Sequence, residues 1–172
     1  SSFAFLMPKK QEYYNSLGFR MVYNTRLLDY SIVDADEFER DVLDNYSSLM
    51  LNITSLGQIK ENEYDKLAYE LNDIMEQQYN AFSLRDKSYL IDMLDEHRCQ
   101  HGDVCIVSET MADGNDIYDN LVGVFAYDVY DEVMYVERFE PFGNNMVALL
   151  ISVMKQAIEI TCSRCIITVF VN

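Results

Sequence analysis

The chain has no tryptophan, two prolines and six glycines in 172 residues. It shows no internal repeat and no low-complexity linker, which excludes solenoid and tethering architectures. Basic residues are also scarce. Thirteen Lys and Arg stand against 29 Asp and Glu, a net charge of −16. Such a field repels phosphates, so nucleic acid and anionic membrane surfaces are not expected partners. It opposes an anionic cofactor unless cations gather locally, and it favours a cationic substrate. No run reaches the roughly 18 apolar residues of a spanning helix. The first eight residues lack the charged leader of a signal peptide. Four cysteines in a chain this long do not make a disulfide scaffold. They read as reduced thiols of a cytoplasmic protein.

What is present is apolar and aromatic. About half the residues are hydrophobic, with 13 Tyr and 9 Phe. That suffices for one ordinary core, and the length fits one domain or one and a half. Tyr23, Tyr30, Tyr127, Tyr130 and Tyr135 read first as sheet packing, with a cleft or interface as the alternative.

Residues 3–7 are a short apolar run stopped by Pro8 and read as a strand. Residues 9–17 read as a short helix ended by Gly18. Residues 19–33 carry one or two strands. From 37 to 81 the apolar spacing of three and four is helical, interrupted at Gly57. A further helix follows Ser83. Residues 104–108 read as a strand, and 111–120 as a polar turn. Residues 121–127 and 133–139 form a hairpin across 128–132. Asn144 caps a helix running to about 160. Residues 165–171 read as a strand buried on both faces. The closing strand, helix and strand imply a crossover between parallel strands.

Several clusters invite chemistry. Cys162 and Cys165 have metal-ligand spacing, and His97, Cys99, His101 and Cys105 add donors. Zinc needs four such ligands in a tetrahedron. Cys162 and Cys165 lie in a turn and at the start of a buried strand, so no metal site is assigned. Asp113, Asn115, Asp116 and Asp119 are oxygen-rich but lack the register of a calcium loop.

The order of elements resembles a GNAT-type N-acetyltransferase core. Leu121-Val122-Gly123 resembles the glycine-bearing strand of that family. Residues 133–137 sit where its cofactor strand would be, and Gly143-Asn144-Asn145 where its pyrophosphate loop would be. Tyr14, followed by Gly18-Phe19, resembles the closing segment of a preceding GNAT unit. Tyr79 with Arg85-Asp86, Tyr89 and Glu96 is similar to the start of the second half of Eis-like tandem acetyltransferases. The resemblance implies an α/β (α+β) fold with a mixed central sheet and flanking helices. It divides the chain into a closing segment over 1–33 and a degenerate GNAT-like core over 34–172. It implies transfer of acetyl from acetyl-CoA to an amine, with Tyr14 as general acid and Gly143, Asn144 and Asn145 at the cofactor. This portion would be mainly structural or acceptor-side, completed by a missing N-terminal GNAT unit or a second copy of the chain. The alternative is a non-catalytic scaffold. Within the loop only Gly143 fits the family's glycine-rich pattern. Glu140 stands where that pattern has a cation or an amide, which is unfavourable beside phosphates. The simpler reading of Asn144 is a helix N-cap.

Overall fold

The computed structural model describes residues 24–32, 40, 50–79, 82–109, 118 and 120–171. These form a six-stranded mixed sheet with helices on both faces. The strands are β1 (Asn24–Ser31), β2 (Leu51–Ser55), β3 (Asp103–Glu109), β4 (Leu121–Tyr130), β5 (Val133–Pro141) and β6 (Arg164–Val171). The helices are α1 (Tyr64–Gln78), α2 (Lys87–Arg98) and α3 (Met146–Glu159). The sheet order is β1-β6-β5-β4-β3-β2. Only β5 and β6 pair in parallel. The strand expected at 3–7, the helix expected at 9–17 and the oxygen-rich residues 113–116 lie outside the described residues.

The central strands carry two cores because helices cover both faces. On one face Cys105, Val107, Phe125 and Met134 pack against Leu149, Val153 and Ala157 of α3. On the other, Val104, Ile106, Val124 and Ala126 pack against Leu67 and Leu71 of α1 and Leu90 and Leu94 of α2. Gly123 permits close approach at the first face. A Cβ there would lie 2.6 Å from the Glu140 carbonyl oxygen and 2.9 Å from a Leu149 methyl. The hairpin of β4 and β5 turns on two residues, Asp131 and Glu132, with φ of 50° and 60°. Positive φ at both positions is the conformation of the tight hairpin turn.

Three expectations need correction. Residues 51–55 are a strand, not helix, because they pair antiparallel with β3 from Leu51↔Glu109 to Ser55↔Cys105. The helical pattern does hold over 64–78. β6 is not buried on both faces. Cys165 and Ile167 are in the core while Ile166 and Thr168 are half-buried. The doubly buried strands are β3, with Val104 to Ser108 all buried, and β4, whose first eight residues are all buried. The N-cap of α3 is Asn145, not Asn144, and its side chain makes no capping bond.

At the N-terminal end of the described chain, β1 pairs with β6 along eight residues, from Asn24↔Val171 to Ser31↔Arg164. Arg164 Nε donates to Asp29 Oδ1 at 2.7 Å, and its Nη2 reaches Oδ2. Residues 24–31 therefore belong to the same sheet as residues 164–171.

Candidate functional site

The sheet opens in the middle. β5 and β6 pair from Val133↔Arg164 to Val136↔Ile167, and pairing stops there. β5 nevertheless runs on to Pro141. At the same place β5 carries a bulge against β4. Ala126 faces Arg138 and Tyr127 faces Val136, which leaves Glu137 as the extra residue. A bulge shifts side-chain parity by one. Met134 and Val136 face α3, and so does Phe139, three residues on. Arg138 and Glu140 are thereby turned to the α1/α2 face.

On that face they meet residues from the segment joining α1 to α2. Arg85 Nη2 donates to Glu140 Oε2 at 2.6 Å. Arg138 Nη1 donates to Tyr89 Oη at 2.6 Å and lies 3.9 Å from Glu140 Oε1. The Arg138 guanidinium also sits over the Tyr89 ring, 5.6 Å from its centre. With Tyr79 and Phe82 these residues line an open cleft of about 370 Å³.

The cleft is built from a fixed anchor. The Asn72 amide holds the Arg85 backbone from both sides, donating to its carbonyl at 2.7 Å and accepting from its N–H at 2.9 Å. Asp86 then caps α2 by accepting from the Tyr89 N–H at 2.8 Å. The Arg85 side chain is only 6% exposed. A buried guanidinium requires partners. Among the described residues, Glu140 is its one acceptor, and no buried polar atom is left unpartnered. Arg85 also lines the cleft.

Gly143, Asn144 and Asn145 form the turn before α3. Gly143 has φ of 57°, the left-handed region that favours glycine. A Cβ there would meet nothing within 4 Å, so this glycine serves the turn. The first amides of α3 have no intrahelical partner, yet the loop and first helical turn contain no Lys or Arg. Glu140 does not oppose phosphates as the sequence suggested, because its carboxylate is held by Arg85 on the other face. The loop residues still do not fit the pyrophosphate of acetyl-CoA. They lack its glycine pattern, and Met146 and Val147 present exposed apolar side chains at the helix start.

Tyr14 lies outside the described residues. The six Cys and His donors do not converge, and no cluster suited to a metal occurs among the described residues. His97 is committed to Asp128, while Cys105, Cys162 and Cys165 are core residues. Tyr23 lies outside the described residues; Tyr127 packs against Phe125, whereas Tyr130 is exposed. Tyr79, Arg85 and Tyr89 do converge. Arg138 and Glu140 were missed as their partners. Tyr89 is 49 residues from Arg138, and Arg85 is 55 from Glu140, so no local pattern marks either contact.

No protein-family model matches the sequence, and no curated protein matches it. Solved structures do. A GCN5-related N-acetyltransferase from Sphaerobacter thermophilus superposes with a TM-score of 0.54 at 11% identity, covering 94% of this chain and 47% of that one. One from Kribbella flavida gives 0.47 at 12% identity, covering 95% and 35%. An acetyltransferase from Streptococcus agalactiae gives 0.40 at 13% identity, covering 64% and 65%. The chain thus spans about half the length of the first of these, or less in the second. No helix among the described residues is long and apolar enough to cross a membrane. In architecture the chain has a GNAT-like fold, a mixed six-stranded sheet flanked by helices.

Proposed function

We propose that this chain is part of a GNAT-type N-acetyltransferase that moves acetyl from acetyl-CoA to an amine, and that of the two roles open to this portion, mainly structural or acceptor-side, the acceptor-side one is the better supported. The observation that carries the reading is the parting of β5 and β6 after Val136↔Ile167, in step with the bulge at Glu137. A sheet opened there gives a second molecule access to strand backbone next to the start of a helix. The misfit of residues 140–147 to a pyrophosphate moves the cofactor's main site away from this unit. The cleft of Arg85, Tyr89, Arg138 and Glu140, on the face opposite α3, then forms a wall of the acceptor site.

Calorimetric titration of the chain with acetyl-CoA tests the assignment. The expected result is no binding tighter than about 100 μM, or ~5.5 kcal/mol. Tighter binding would place the cofactor here and overturn the acceptor-side role. The transferase reading is tested on the longest natural protein containing this sequence. Amine-dependent thiol release from acetyl-CoA is expected, and its absence across a panel of amines sinks the reading. The second reading is a non-catalytic scaffold, which the misfit loop also favours. A scaffold has no need of small-molecule binding in the cleft.

A further inference from the structure

The cleft disagrees with the rest of the molecule in charge. The chain carries −16, yet two guanidiniums and one carboxylate line this cavity. Glu140 divides itself between them, with Oε2 on Arg85 at 2.6 Å and Oε1 at 3.9 Å from Arg138. One carboxylate cannot neutralise two guanidiniums, so a net positive charge remains. Among the described residues Arg138 has one acceptor at hydrogen-bond distance, the neutral Tyr89 hydroxyl. The remaining donors of that fork match a planar oxyanion. Tyr79, Phe82 and Tyr89 supply an apolar wall. The volume, about 370 Å³, lies at the small end of ligand sites.

We propose that this cleft binds the carboxylate of an acceptor that carries both an amine and a carboxylate, an amino acid or the end of a short peptide, with Arg138 as the main contact and Arg85 as the fixed cation behind it. The inference rests on the acceptor-side reading above and replaces the simple cationic amine that overall charge would select. Arg85 is pre-set by the Asn72 clamp and by burial. Arg138, half-exposed on the re-aimed end of β5, is the group a ligand reaches. Glu140 holds the two cations together and competes with the incoming anion.

Calorimetry on the full chain, without acetyl-CoA, tests the proposal with three probes: L-phenylalanine, phenethylamine and inorganic phosphate. L-phenylalanine is expected to bind about tenfold or more tightly than phenethylamine, which lacks only the carboxylate. Arg138→Gln is expected to weaken L-phenylalanine about tenfold and not to weaken phenethylamine, a cation that the guanidinium repels. Glu140→Gln, which removes the competing anion, is expected to strengthen L-phenylalanine. Circular dichroism checks that each variant folds, and either variant alone suffices because their expected signs are opposite. Equal binding of L-phenylalanine and phenethylamine overturns the proposal, as does no binding of L-phenylalanine. Phosphate displacing L-phenylalanine at lower concentration overturns it in favour of a phosphorylated ligand. These outcomes are read without acetyl-CoA, so failure of this proposal and failure of the acceptor-side reading are distinguishable.

Discussion

His97 Nδ1 lies 2.7 Å from Asp128 Oδ1, with both side chains buried. His97 is in the last turn of α2 and Asp128 is near the end of β4. The pair bolts the helix to the strand, and the chain between them runs tightly. A Cβ at Gly102 would fall 1.7 Å from the Tyr127 carbonyl oxygen. Asp128→Ala would leave a buried imidazole N–H without its acceptor. A loss of about 2 kcal/mol in urea-unfolding stability is expected. Asp128→Asn keeps an acceptor oxygen and should cost less than about 1 kcal/mol. Equal losses for the two variants would show that the hydrogen bond is not what matters.

The hairpin turn offers a gain instead of a loss. Asp131 and Glu132 both hold positive φ, which Asp tolerates and Glu disfavours. Glu132→Gly removes that penalty, and the Glu132 carbonyl keeps its backbone bond from Ser163. Thermal unfolding should show a gain of about 0.5–1 kcal/mol.

Gly123 is the opposite case. A methyl group there meets the Glu140 carbonyl oxygen and the Leu149 side chain. Gly123→Ala should cost about 1–3 kcal/mol, measured by chemical unfolding. Its effect should extend to the cleft, because Glu140 must move.

Thiol chemistry separates the cysteines. Cys99 is exposed and Cys105, Cys162 and Cys165 are buried. A disulfide reagent at pH 8 should find one fast thiol in the native protein and four after denaturation. Burial also pushes the Cys165 thiol and the Tyr127 phenol up to about 12. Their ordinary values are 9.0 and 10.0. A native pKa raised in this way stabilises the fold fully below the unfolded value. The contribution is lost as pH rises through the native one. Stability should therefore fall between about pH 9 and about pH 12, and Tyr127→Phe should reduce the slope of the fall.

The order of elements from α2 onward could be read from sequence because each carries its own periodicity. Leu51 to Ser55 could not. Leu51 and Ile53 have the two-residue spacing of a strand, but five residues are too few to stand out against the helical spacing around them, and pairing with β3 decides the matter. The covering of β6 on one face only is likewise a property of its neighbours, not of its own β-branched run. The bulge at Glu137 has no compositional mark at all, yet it determines which face Arg138 and Glu140 serve. Tyr79, Arg85 and Tyr89 could be singled out by resemblance. Their partners required the sheet to be assembled first.

The pairing of β1 with β6 has a consequence for synthesis. The two strands are more than a hundred residues apart, and Asn24 is registered with Val171. On a ribosome β1 emerges more than a hundred residues before β6, its partner among the described strands. Its ladder groups must wait in water or on a chaperone, at a length where such delays expose aggregation-prone edges. Contacts of this separation are also the slow ones in refolding. Among the described strands, the first in sequence can be completed only once the last has been made.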